Sequence, residues 1–148
     1  MNLGATYMPS SRALVDILAH VTGTPRPRAK GIVRALLNAD LLERGKGKRI
    51  PEVDGEGVFI ALASIAMTDE VVRAPFTMPE ACALPLEGEE GGETVAAGFA
   101  HHLADRHGWA PTIDFHRAAS GYAIVMHGPR LVAGKTVDVT LPYYRVRS

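Results

Sequence analysis

An α+β fold is what the 148-residue sequence predicts, and three features predict it. Apolar residues recur at helical spacing through the front of the chain. After Pro111 the period changes to two. Between these regions lies a stretch rich in proline, glycine and glutamate. The division that follows is a helical unit over residues 1–72, a Pro/Gly/Glu-rich linker over 73–92, and over 93–148 a helix and a three-stranded antiparallel meander.

The first helix is expected to begin near Ser10, because Ser10 or Ser11 can accept a hydrogen bond from the free amides of the first turn. Leu14, Ile17, Leu18 and Val21 follow at i, i+3, i+4 and i+7 and predict one buried stripe. Gly23 is the expected terminator, since glycine enters the left-handed region without a Cβ clash. A second helix restarts at once, with Thr24 as N-cap and Pro25 at the first helical position, where no amide hydrogen is required. Its apolar face is Ala29, Ile32, Val33, Leu36 and Leu37, and Lys30, Arg34 and Asn38 recur four apart on another face. Residues 43–57 then form a basic, glycine-containing turn or short hairpin. A third helix over about 57–72 is apolar nearly all round, which predicts burial or pairing with a second copy. A fourth is expected over 93–107 from Val95, Phe99 and Leu103, with Gly108 as its stop. Ile113 and Phe115, then Tyr122, Ile124 and Met126, then Val137, Val139 and Leu141 alternate with other residues as strands do, and Gly121 and Gly134 mark turns.

Formal net charge is zero, yet the charge is divided. Residues 1–49 hold nine Lys and Arg against three acids, a balance of +6, and residues 50–148 balance at −6. Half of the sixteen cations fall between Thr24 and Arg49. A basic front on an acidic back turns one face toward a polyanion. If the apolar stripe fastens the second helix to the core, Lys30, Arg34 and Asn38 point outward, where a major groove admits a helix. Arg26 and Arg28 stand at the positive end of that helix, suited to phosphate. Lys46, Lys48 and Arg49 would touch the backbone alongside, and Arg34 and Asn38 are the residues placed to read base edges.

These residues also resemble a known family. Leu14, Leu18 and Gly23, then Thr24 to Leu37, then Ala39, Leu41, Leu42 and Arg44, with a basic tip from Gly45 to Arg49, resemble the centre of winged helix-turn-helix proteins. The similarity covers about a quarter of the chain, and a looser one extends to short phage and prophage proteins. Asp40 stands where the family usually has glycine, the family's leading helix is missing, and no clear strand follows the tip. The resemblance implies a helix-turn-helix unit that binds double-stranded DNA, with Gly45 to Arg49 as the wing tip. The apolar third helix with the C-terminal unit would support a homodimer that sets two recognition helices about one helical turn of DNA apart.

Other chemistries find little here. His101, His102 and His107 are poorly spaced for a shared ion, and the one cysteine, Cys82, cannot complete a zinc knuckle or an internal disulfide. There is no G-x-S-x-G, phosphate loop or dinucleotide fingerprint. The expectation is therefore a protein that is not an enzyme and has no cofactor or metal. No apolar run is long enough to span a bilayer, and the first residues do not read as a secretory signal, so a cytoplasmic location without membrane contact is expected. The function expected is non-catalytic DNA binding, as a transcriptional regulator or a phage-type accessory factor. The alternative is a protein–protein adaptor that uses the same helical shape without touching DNA.

Overall fold

The computed structural model describes residues 9–43, 53–86, 93–104, 112–118 and 121–144. Among these residues the fold is α+β, with five α-helices and a three-stranded antiparallel sheet toward the C-terminal end. Helix α1 spans Ser11–Thr22, and Ser10 caps it by accepting a 3.1 Å hydrogen bond from the Ala13 amide. Gly23 ends it at φ 72°, donating to the Ala19 carbonyl. Leu14, Val15 and Leu18 form the buried stripe of α1. Ile17 and Val21, expected in that stripe, are 40 % and 67 % exposed. The stripe runs through Val15 because, among the described elements, α1 rests mainly on α2 and α3, and a helix packed on one side buries a narrow face.

Helix α2 is Arg26–Asn38. Its start differs by one residue from the expected one. Pro25 takes the N-cap position and Pro27 falls in the first turn, while the Thr24 amide donates to Thr22 Oγ1. At the other end the Leu41 amide donates to the Leu36 carbonyl and the Asp40 amide to that of Leu37, with Asp40 at φ 59°. That is a Schellman C-cap, in which the left-handed position usually belongs to glycine. The place where Asp40 departs from the winged-helix pattern is thus a backbone position with a steric reason for glycine.

Helix α3, Gly55–Met67, is capped by Asp54, whose Oδ1 accepts from the Gly57 amide at 2.7 Å. It ends five residues before the expected boundary at residue 72, and a 3-10 turn follows at Val71–Arg73. As its all-round apolarity predicts, α3 is the central element, meeting α1, α2, α4, α5 and β1. Residues 73–92, expected as a linker, begin with helix α4, Ala74–Cys82. Three prolines in the segment argue against a helix, but Ala74, Met78, Ala81 and Cys82 are buried at i, i+4, i+7 and i+8. Burial of that stripe outweighs the hydrogen bond lost at Pro79. Residues 87–92 lie outside the described set.

Helix α5, Val95–Ala104, packs on α3 at a close approach. A Cβ built on Gly55 would stand 2.8 Å from the Ala100 Cβ, so only glycine admits this contact. Strands β1 (Thr112–Ala118), β2 (Gly121–Val132) and β3 (Lys135–Tyr144) follow in the order β1-β2-β3. Ala133 and Gly134 join β2 to β3 with both φ positive, the form a two-residue type I′ turn requires. Ile124, Met126 and Tyr143 point into one continuous core with the buried residues of all five helices. Phe59 of α3 binds the layers together, with its ring centroid 5.2 Å from Phe99 on α5 and 6.1 Å from Phe115 on β1. Full burial of such a side chain contributes roughly 1.5–3 kcal/mol.

Candidate functional site

The cations of α2 divide according to where the helix turns them. At about 100° per residue, Arg26, Lys30 and Arg34 fan across about 80° of the surface, whereas Arg28 stands about 200° from Arg26. The core side is held by Ala29, Ile32, Val33 and Leu36, so the first three cations face outward on the α1 side and Arg28 faces the opposite flank. Lys30 and Arg34 are exposed, and neither has a hydrogen-bond or ion-pair partner among the described residues.

Arg26 is different. Its Nε donates to Asp16 Oδ1 on α1 at 2.8 Å, and both side chains are more than half exposed. An exposed pair of this kind contributes roughly 0–1 kcal/mol and is easily exchanged for another anion. Arg26 therefore has a partner in the resting molecule but is not immobilised by it.

Arg28, grouped above with Arg26 as a phosphate contact, is committed to the fold. Its guanidinium donates to the Thr68 carbonyl and, at 3.3 Å, to the Asp69 carbonyl. From the other side, Arg117 of β1 donates to the Met67 carbonyl at 3.1 Å and lies 3.5 Å from an Asp69 carboxylate oxygen. Two guanidinium groups thus cap the carbonyl end of α3, where a helix presents partial negative charge. Neither arginine is near the other in sequence, so only the folded chain shows their shared task. Asn38 is exposed and is already engaged in an interaction within the molecule. Lys46, Lys48 and Arg49, the expected backbone contacts of the wing tip, lie outside the described residues.

The structure adds one residue that the sequence did not mark. Arg12, in the first turn of α1, is exposed and, among the described residues, unpartnered. It lines a trough of about 340 Å³ between α1 and α2, together with Arg26, Lys30 and Arg34. Val15, Val33 and Leu37 supply the apolar part of the lining, and none of the described lining residues is a carboxylate, although Asp16 pairs with Arg26 at its border. Arg12 is fourteen residues from the nearest of the other cations. Only the packing of α1 against α2 brings them together, so local spacing carried no signal for it.

Among the described residues, the remaining chemistry-bearing side chains do not form a second site. Cys82 is buried, and burial together with the Glu56 carboxylate pushes its thiol up to about 12, away from nucleophilic use. His101 contacts Glu93. His127 contacts Asp114 at 2.8 Å and Thr140 at 3.2 Å on the exposed face of the sheet. Among the described residues, no group of three or more His, Cys, Asp or Glu side chains is placed to hold a metal ion. None of the described helices is long and apolar enough to cross a membrane. No family model, curated protein or solved structure matches the chain.

Proposed function

We propose that this chain is a non-catalytic double-stranded-DNA-binding protein, a regulator or a phage-type accessory factor, and that its contact surface is the outward side of α2. The observation that carries the reading is the state of Lys30 and Arg34. Both are exposed, neither has a partner among the described residues, and Arg12 extends the same positive surface, as does Arg26 in its exposed pair with Asp16. Unneutralised cations grouped on one side of a molecule of zero formal net charge are a binding feature, because self-repulsion works against such a cluster unless an anion is its partner. The tight turn at Gly23 between two short helices also supports the helix-turn-helix resemblance, and a homodimer would set two copies of α2 on one duplex.

The reading is tested by titrating the protein into labelled duplex over a range of salt concentrations. About four or five phosphate contacts give a log–log slope of roughly −4. No retention of any duplex at about 50 mM salt is the result that removes the proposal. The adaptor reading has its own observation: Val72 and Phe76, beside and within α4, are 69 % and 85 % exposed. A partner protein covering that patch would protect Phe76 while leaving Lys30 and Arg34 free.

A further inference from the structure

Building on the DNA-binding reading, we infer that the trough between α1 and α2 seats one phosphodiester strand of a DNA duplex, with Arg12 and Arg34 as backbone contacts contributed by the two helices. A helix that reads base edges has to stand clear of its neighbours to enter a major groove. α2 does not stand clear. α1 borders it on the side of Arg26 and Lys30. On the opposite flank Arg28 reaches the Thr68 and Asp69 carbonyls, and a methyl built on Gly31 would lie 3.4 Å from Val71 Cγ1. The positive surface is therefore concave, and a concave surface receives a ridge.

The sugar–phosphate strand is the ridge of a duplex, and the chemistry of the trough matches it. Exposed cations on both helices face phosphate oxygens, while Val15 and Val33, nearly buried beneath them, offer an apolar base for the less polar faces of deoxyribose. Ser11 adds a hydroxyl donor on the α1 side. None of the described lining residues is a carboxylate, and Asp16, which borders the trough at Arg26, is held in an ion pair with that arginine. Contacts of this kind fix position without reading sequence. Arg34 is then a phosphate ligand rather than the base reader that its place on α2 suggested.

Fluorescence anisotropy with two short duplexes of unrelated sequence, and with one of their single strands, tests this on the full chain. Arg12→Ala and Arg34→Ala are each expected to weaken both duplexes by a similar factor, about three- to tenfold, and to reduce the salt slope by about one. Lys135→Ala, at the start of β3, serves as the control and is expected to bind as the wild type does. Thermal melts of the variants should superimpose on the wild type, because neither arginine has a partner among the described residues. If Arg34→Ala weakens binding and both Arg12→Ala and Arg12→Glu leave it unchanged, the trough is not the seat, although DNA binding stands. If Arg34→Ala alters the ranking of the two duplexes, Arg34 reads bases and the inference fails. Tighter binding to the single strand than to either duplex overturns the choice of occupant. A wild-type protein that binds neither duplex overturns the function reading together with this one.

Discussion

Replacing Arg28 with alanine separates a cation that holds the fold from the cations proposed to hold a ligand. Arg28 makes two hydrogen bonds to the segment after α3, and they differ in worth. Thr68 is buried, so its carbonyl loses a charge-assisted partner that water replaces poorly, and a bond of that class contributes about 1.5–3 kcal/mol. Asp69 is exposed, and water takes over its carbonyl at little cost. Arg117 remains on the Met67 carbonyl, which keeps the end of α3 from losing all of its positive partners. The expected loss for Arg28→Ala is therefore about 2 kcal/mol. For a domain of this size, that lowers Tm by roughly 4–8 °C. Thermal unfolding followed by circular dichroism measures the first quantity, and duplex titration of the same sample, below its transition, measures the second. Affinity is expected to change little. A variant that melts like the wild type but binds duplex as weakly as Arg34→Ala would show that Arg28 belongs to the ligand surface and that its reach to Thr68 is incidental.

Three further expectations rest on other parts of the fold. Gly55→Ala forces a methyl against the Ala100 backbone and side chain, where neither helix can shift alone, and should cost about 1–3 kcal/mol in a urea titration; an unchanged midpoint would mean that α3 and α5 can part freely. Ala133→Asn places a residue tolerant of positive φ in the β2–β3 turn and should raise stability by about 0.5–1 kcal/mol, a sign opposite to that of most substitutions; a lower Tm would refute the assigned turn. Cys82 should not react with a soluble aromatic disulfide near neutral pH until the chain unfolds. Because its folded value is raised from 9.0 to about 12, the stability tied to its neutral form is complete below pH 9 and is lost as pH rises toward 12. Rapid stoichiometric labelling of the native protein, or stability that climbs over that interval, would contradict its burial.

How far the sequence could be read follows from how local each cause was. Ser10 and Gly23 bound α1 through their own backbone and side-chain chemistry, and the alternation after residue 111 marks three strands, so these features were legible. Helix α4 was not, because prolines signal a break while the stripe from Ala74 to Cys82 gains its meaning only when α3 is present to cover it. The same holds for the site. The outward placement of Lys30 and Arg34 was legible because an amphipathic helix fixes which residues face away from its core. Arg28 was misplaced because helical position alone does not reveal a carbonyl group that arrives from forty residues away. Arg12 was missed because its company depends on how α1 lies against α2. The close approach at Gly55 was hidden for a similar reason, since a glycine in the first turn of a helix reads as a flexible start until its neighbour is known.

The most direct test of the central claim compares the salt dependence of duplex binding for the wild type and for the double variant Lys30→Ala/Arg34→Ala. The account predicts that the log–log slope becomes shallower by about two while the melting temperature is unchanged. Equal slopes for the two proteins, with duplex still bound, would place the DNA contact elsewhere on the molecule.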